Sequence, residues 1–298
     1  MYVRAHFFIR FMTIIKTHYM KKLLFFLATG LTVISVDAQT QQTQQAQQAQ
    51  QTQQPQQRQE PQQTKKPVDP KRMVAGMVEI FDPEVQIIQP GASDRDAPSD
   101  AIILFDGADI SKEWEDTRGN PSKWIVKDGT MISVRGAGFI QTKRKFSNFQ
   151  LHIEWKTPSE VTGESQGRGN SGVFLQERYE VQVLDSYNNR TYRHGQAASI
   201  YKQFPPLVNA SKGPGEWQTY DIIYTAPAFN KDSITYFTPP RVTVLHNGVL
   251  VQNNVSLMGP TDYTQIPQAF IKAHGPGSLQ LQDHGNPVAY RNIWIREL

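Results

Sequence analysis

The 298-residue chain contains no cysteine, which excludes a disulfide framework, thiolate zinc sites, a cysteine nucleophile and a lipidated-cysteine anchor. Its excess of 31 basic over 27 acidic residues sits at the N-terminus: residues 1–38 hold five of the bases and one of the acids, leaving 26 of each beyond them. A neutral remainder offers no electrostatic footprint for nucleic acid, which is not expected as a partner.

Residues 20–38, MKKLLFFLATGLTVISVDA, place two lysines before a short apolar run and end on Val36-Asp37-Ala38, a small-residue cleavage pattern. We read residues 1–38 as a leader with a secretory signal peptide, Met20 as its start, and the run as short for a span of roughly 20 residues. The expected product is exported, periplasmic or secreted, soluble, and without a stable membrane anchor after cleavage. Residues 39–66 are Gln-rich and read as a disordered linker, because they cannot bury enough apolar surface to offset their ordering entropy. Residues 67–99 mix Pro, Asp and Ser with short apolar pieces and read as an extended arm.

From 100 to 298 the texture is that of short strands: AIILF, KWIVKDGTMISV, FQLHIEWKT, SGVFL, YEVQVLDS, TYDIIYTA, RVTVLHNGVLVQ, SLQLQDH and AYRNIWIREL. Turns at Lys127-Asp128-Gly129 and His246-Asn247-Gly248 punctuate them, the second flanked by VTVL and VLVQ as in a tight hairpin. There is no helical periodicity and no internal repeat, so the prediction is one all-β domain, a jelly-roll sandwich of two antiparallel sheets.

Period-two alternation sorts the faces. Phe149, Leu151, Ile153 and Trp155 oppose Gln150, His152, Glu154 and Lys156; Tyr179, Val181, Val183 and Asp185 oppose Glu180, Gln182 and Leu184; Leu279 and Leu281 oppose Gln280, Gln282 and His284. A solvated face is rich in Lys and Glu, whereas Gln, His and aromatic side chains supply the neutral donors, acceptors and flat surfaces that sugar hydroxyls and rings require.

Taken in order, DAIILFDG (100–107), KWIVKDGTM (123–131), FQLHIEWKTP (149–158), GRGNSGVFL (167–175), YEVQVLDSY (179–187), GQAASIY (195–201), PGEWQTYDIIYTAP (214–227), VTVLHNGVLVQNN (242–254) and LQDHGNPVAYRNIWIREL (281–298) resemble the 3-keto-disaccharide hydrolase domain family. The resemblance implies a concanavalin A-like sandwich and action on glycosides carrying a ketone at C3. A glucanase of that fold would carry acids at alternate positions of one strand; here Gln182 and Leu184 follow Glu180 on its face, leaving a cross-strand pairing of Glu154 with Glu180 as the remaining two-carboxylate option.

A C3 ketone acidifies C2–H, so a base, an electrophile at the ketone and a proton source suffice for elimination, followed by hydration. The catalytic candidates are Glu154, His152 and His284; the substrate-binding candidates are Arg168, Asn170, Ser171, Gln182, His194, Tyr201, Lys202, Trp217 and Gln282. Each has a plain structural alternative: Asp185 as a turn-amide partner, Trp217 as a core residue, His246 as a hairpin residue, the glycines of GRGNSG as positive-φ positions. A divalent cation, with ligands among Glu154, Asp185, His194, His274 and His284, is a possible cofactor, although no tight metal motif is present. Two rival functions stay open, a non-catalytic lectin-like module and an ordinary glucanase, and nothing in the sequence sets an oligomeric state.

Overall fold

The computed structural model describes residues 77–232, 235–264 and 272–298; the leader, the Gln-rich tract and residues 67–76 of the arm lie outside them. The chain divides into two units, Met1–Pro83 and Glu84–Leu298, and the second carries everything below. Within it fifteen strands follow in order: β1 (Ile102–Phe105), β2 (Trp114–Asp116), β3 (Ile125–Lys127), β4 (Thr130–Ile132), β5 (Ile140–Thr142), β6 (Phe149–Lys156), β7 (Ser171–Leu175), β8 (Tyr179–Val183), β9 (Gln218–Thr225), β10 (Ala228–Phe229), β11 (Tyr236–Thr238), β12 (Arg241–His246), β13 (Val249–Ser256), β14 (Gln280–Leu281) and β15 (Ala289–Glu297). Among the described residues of this unit the helical elements are short 3-10 turns, and no described helix is long and apolar enough to cross a membrane.

The tightest connections fall where the turn residues demand them. Asp128 (φ 51°) and Gly129 (φ 70°) join β3 to β4, and Asn247 (φ 52°) and Gly248 (φ 78°) join β12 to β13. Two successive positive φ values give the type I′ turn that matches strand twist.

An eight-stranded sheet runs β13-β12-β9-β6-β15-β4-β3, with β1 also paired to β15; a five-stranded sheet runs β2-β5-β14-β7-β8; β10 and β11 form a separate ribbon. All pairings are antiparallel. Leu151, Ile153 and Trp155 of the larger sheet meet Val173, Val181, Val183 and Leu281 of the smaller in one buried core. This is the expected concanavalin A-like jelly-roll sandwich.

Three tyrosines of the larger sheet reach through that core to polar atoms of the smaller one. Tyr220 Oη donates to the Gln182 carbonyl (2.7 Å), Tyr224 Oη to Gln176 Oε1 (2.8 Å) and Tyr290 Oη to Ser171 Oγ (2.7 Å). Each satisfies a hydroxyl that burial would otherwise penalise and fixes one sheet against the other.

Candidate active site

Strand register lines up the outward side chains of the smaller sheet. Glu115, Gln141, Gln280, Phe174 and Glu180 stand opposite one another in turn across all five strands. In the next row Gln182 faces Gly172, and the backbone N–H of Gln282 donates to the Gly172 carbonyl (3.0 Å). Opposed residues share a face, and here that face points away from the core.

A cavity of about 320 Å³ opens over the β8 end of these rows, its floor formed by Glu180, Gln182, Asn170 and Gln282, and its walls by Phe139, Phe174, Tyr201, Thr261, Tyr263 and His284. Two loops build the walls. Residues 197–204 follow the free edge of β8, where Gln182 N donates to Ser199 O (3.0 Å) and Tyr201 N to Glu180 O (3.1 Å). At the same edge Glu180 N donates to Thr261 Oγ1 (2.9 Å). Buried Gln203 ties the loops together: its Nε2 donates to Gly259 O (2.8 Å) and its Oε1 accepts from Met258 N (2.8 Å).

Glu180 is 4% exposed, and among the described residues its carboxylate makes no hydrogen bond. Burial alone pushes its pKa up to about 8. Gly172 makes the room: a Cβ there would lie 2.5 Å from Glu180 Oε1. Around the acid, Gln182 Oε1 and Gln282 Oε1 are buried and accept from none of the described residues. Gln182 spends its amide protons on Asn170 Oδ1 (3.1 Å) and Gln166 Oε1 (3.3 Å), which turns its oxygen to the cavity. Two buried acceptors without donors are suited to a ligand that brings hydroxyls.

The Tyr201 and Tyr192 hydroxyls lie 2.6 Å apart. Burial and that hydrogen bond both raise the Tyr201 pKa, so it stays a neutral donor. Lys202 Nζ stands over the Tyr192 ring (4.4 Å) and also over Tyr263 (5.5 Å) and Tyr201 (5.7 Å), a cation held at the rim by three aromatic faces.

Of the residues expected in the site, the cavity brings together Asn170, Gln182, Tyr201, Gln282 and His284, with Lys202 beside them. It does not bring His152 and Glu154. They project from β6, in the larger sheet, on the opposite outer face of the sandwich. A cross-strand Glu154–Glu180 pair is therefore excluded, because the two acids belong to different sheets. Ser171 is wholly buried, donating to the Gln282 carbonyl (2.5 Å) and accepting from Tyr290, so it joins the sheets instead of facing the cavity. Arg168 is occupied by Asp185 Oδ2 (2.7 Å) and the Tyr187 carbonyl (3.0 Å), while Asp185 also accepts from the Tyr187 amide (3.1 Å). His194 is exposed on the short 3-10 turn Arg193–Gly195, and half-buried Trp217 lies beneath the Arg291 guanidinium (4.0 Å) and Lys156 (4.7 Å). His246 is buried against Trp155 and Tyr220.

Glu154 and His152 instead form a closed ionic network. A bulge in β15 at Asn292 (φ 45°) turns Arg291 and Asn292 to the same side, where Arg291 Nε (2.7 Å) and Asn292 Nδ2 (3.2 Å) donate to Glu154. His152 Nδ1 bonds Asp221 Oδ1 (2.6 Å), and its ring stacks on Trp294. Burial favours the neutral acid at Glu154, but His152 at 3.8 Å and the hydrogen bonds from Arg291 and Asn292 outweigh it and hold the carboxyl at about 2. Burial likewise opposes the imidazolium at His152, and bonding to Asp221 and Glu154 overcomes it, raising the pKa. A carboxylate so firmly paired is a poor proton acceptor.

A larger groove of about 770 Å³ lies on that outer face beneath residues 88–98, but Asp221, Asp96 and Arg296 there are already bonded to His152, Ser93 and Asp100. Candidate cation ligands do not converge either: Glu154, Asp185, His194, His274 and His284 are dispersed, His274 lying against Tyr179. Among the described residues no group of three or more His, Asp or Glu is placed to hold a metal ion.

Glu180 is the residue that sequence reasoning weighed only as half of a glucanase pair. A signal was present in the lone glycine of the strand SGVFL, since a glycine inside a strand marks a close approach to its neighbour. Phe139, Thr261 and Tyr263 come from strand flanks and a loop, where nothing in their spacing marks them.

A family model described as a 3-keto-alpha-glucoside-1,2-lyase-like domain matches residues 100–296. The chain belongs to that family. It is 28% identical over 245 residues to a 3-keto-disaccharide hydrolase of Bacteroides thetaiotaomicron, covering 66% of this chain and 78% of that protein. A crystal structure from Parabacteroides distasonis ATCC 8503, provisionally classed as a glycosyl hydrolase, shares 52% identity with a TM-score of 0.71, over 75% of this chain and 96% of that one. Family membership places the domain among enzymes that act on glycosides.

Proposed function

We propose that this domain cleaves 3-keto-glycosides by removing the C2 proton, with Glu180 as the base. The observation that carries this reading is a lone, unbonded carboxylate at the floor of a cavity: Glu180 is the single acid among the described residues lining it, and its pKa is about 8. Two-carboxylate glycoside hydrolysis needs a partner acid within roughly 10 Å across the scissile bond. Elimination next to a ketone needs one base of near-neutral pKa.

In this mechanism ionised Glu180 takes the C2 proton and the C2 electron pair moves towards the C3 ketone as an enolate. Collapse of the enolate forms the C1=C2 bond and breaks the bond from C1 to the leaving oxygen, which takes up a proton. Water added across C1=C2 completes a net hydrolysis; release before that step is a lyase outcome. The Tyr192–Tyr201 pair leaves one hydroxyl proton to donate, and Tyr201 faces the cavity, so it is the neutral donor for the ketone or the leaving oxygen. The free oxygens of Gln182 and Gln282 accept sugar hydroxyls. The N-terminal stretch supports an exported, periplasmic or secreted, role.

The test is incubation of the protein with a 3-keto-glucoside and its unoxidised parent in D₂O. Release from the keto compound alone, with deuterium at C2, is expected. Glu180→Gln should lower turnover by about 10²–10⁴-fold while retaining substrate binding. Equal release from both compounds would instead indicate an ordinary glycosidase. Binding without release in the unaltered protein would leave a lectin-like module.

A further inference from the structure

The row of outward side chains that starts at Glu180 does not stop at the cavity. Beyond Phe174 it continues over Gln280 and Gln141 to Glu115, at the far edge of the smaller sheet. With strands about 4.8 Å apart, Gln141 stands roughly 14 Å and Glu115 roughly 19 Å from Glu180, farther than one sugar ring extends.

These side chains are organised. Gln280 Nε2 donates to Gln141 Oε1 (3.1 Å), and Gln141 Nε2 donates to Glu115 Oε1 (3.3 Å), which fixes the direction of both amides. Each amide keeps a second N–H, and Gln280 Oε1 and Glu115 Oε2 accept from none of the described residues, so the ladder offers further donors and acceptors at set positions. Between it and Glu180, half-buried Phe139 and Phe174 form a tilted aromatic pair with centroids 5.5 Å apart. A strand face meant only for water has no use for two phenyl rings and a run of oriented amides. Flat apolar surface followed by neutral hydrogen-bonding groups is what successive sugar units require.

We infer that Phe139, Phe174, Gln280, Gln141 and Glu115 form a saccharide-binding run for the leaving-group side of the substrate, so that the domain prefers 3-keto-glycosides whose leaving group is itself two or more sugar units long. The occupant is carbohydrate because the face is continuous with the cavity and carries one terminal charge. This inference rests on the reading of Glu180 as the catalytic base for its direction, but its binding test does not.

Two measurements separate them. The first compares kcat and KM for 3-keto-glucosides whose leaving group is methanol, one glucose or a glucose disaccharide. KM is expected to fall with leaving-group length, and Gln141→Ala should raise KM for the longest substrate roughly three- to tenfold, with kcat and the methyl substrate unchanged. The second titrates free glucose disaccharide and trisaccharide into the unaltered protein, Gln141→Ala and Phe139→Ala. Weaker binding in both variants, with their folding confirmed by unchanged melting, supports the run even if no keto substrate is turned over. Length-independent KM, or oligosaccharide binding that neither substitution changes, would overturn it. Turnover of none of the three substrates with oligosaccharide binding intact would count against the Glu180 mechanism and not against this surface.

Discussion

At the scale of single residues, the two buried glutamates are opposites made by their neighbours. Glu154 accepts from Arg291 and Asn292, has His152 3.8 Å away, and is held at about 2; Glu180 accepts from none of the described residues and is pushed to about 8. Glu154→Gln should therefore cost stability, about 3 kcal/mol from the pKa difference, and leave turnover per folded molecule nearly unchanged. Chemical denaturation alongside active-site-normalised kcat checks this, and a loss of kcat by orders of magnitude without a stability change would return the catalytic role to the larger sheet. Gly172 is tied to Glu180 by space alone. Gly172→Ala puts a methyl 2.5 Å from Glu180 Oε1, so the carboxylate must move. The expected result is a fall in kcat of up to about 10²-fold, the scale of a misplacement near 1 Å, with the protein still folded by circular dichroism.

At the scale of elements, strand identity and facing were legible because period two survives any tertiary arrangement. Phe149, Leu151, Ile153 and Trp155 are core, as are Val181, Val183, Leu279 and Leu281, and both Gly-containing hairpins lie where expected. What alternation cannot encode is sheet membership. His152 and Glu154 on β6 looked equivalent to Glu180 and Gln182 on β8, since each pair occupies a polar face between apolar residues. Only long-range pairing, β6 with β9 and β15 but β8 with β7, puts them on opposite sides of the sandwich. The polar face of β6 was also not a solvated one: the bulge at Asn292 and the Arg95 carbonyl, which accepts from Asn292 and Trp294, close over it. Ser171 shows the same limit, because its partners lie 111 and 119 residues away in sequence. Ser171→Ala would leave the buried Tyr290 hydroxyl without its acceptor. We expect a loss of about 1–3 kcal/mol in denaturant unfolding and little change in KM, whereas a direct substrate contact would give the reverse.

At the scale of the whole molecule, three titrating groups set stability and activity against each other. Glu154 has a folded pKa below its ordinary 4.5, so the stability it contributes is complete above that value and is lost as pH falls towards 2. His152 has a folded pKa above its ordinary 6.5, so its contribution is present below 6.5 and is lost as pH rises through the folded value. Glu180 is raised from 4.5 to about 8: between those values the unfolded chain releases a proton that the folded protein keeps, and stability falls by roughly 4 kcal/mol across the window. Together the three place the stability maximum near pH 4.5, where the gain from Glu154 is nearly complete and the loss from Glu180 begins, with His152 adding to the loss above 6.5. The proposed base works in the other direction, because only ionised Glu180 accepts the C2 proton, so kcat/KM should rise with pH and level off above about 8. Melting temperature and kcat/KM measured over one pH series should thus peak apart. Glu180→Gln should remove most of the loss of stability between pH 5 and 8, raising the melting temperature at alkaline pH while lowering turnover by about 10²–10⁴-fold. If the substitution lowers stability at pH 8, or the activity profile is flat through this range, the buried carboxylate is not the titrating base.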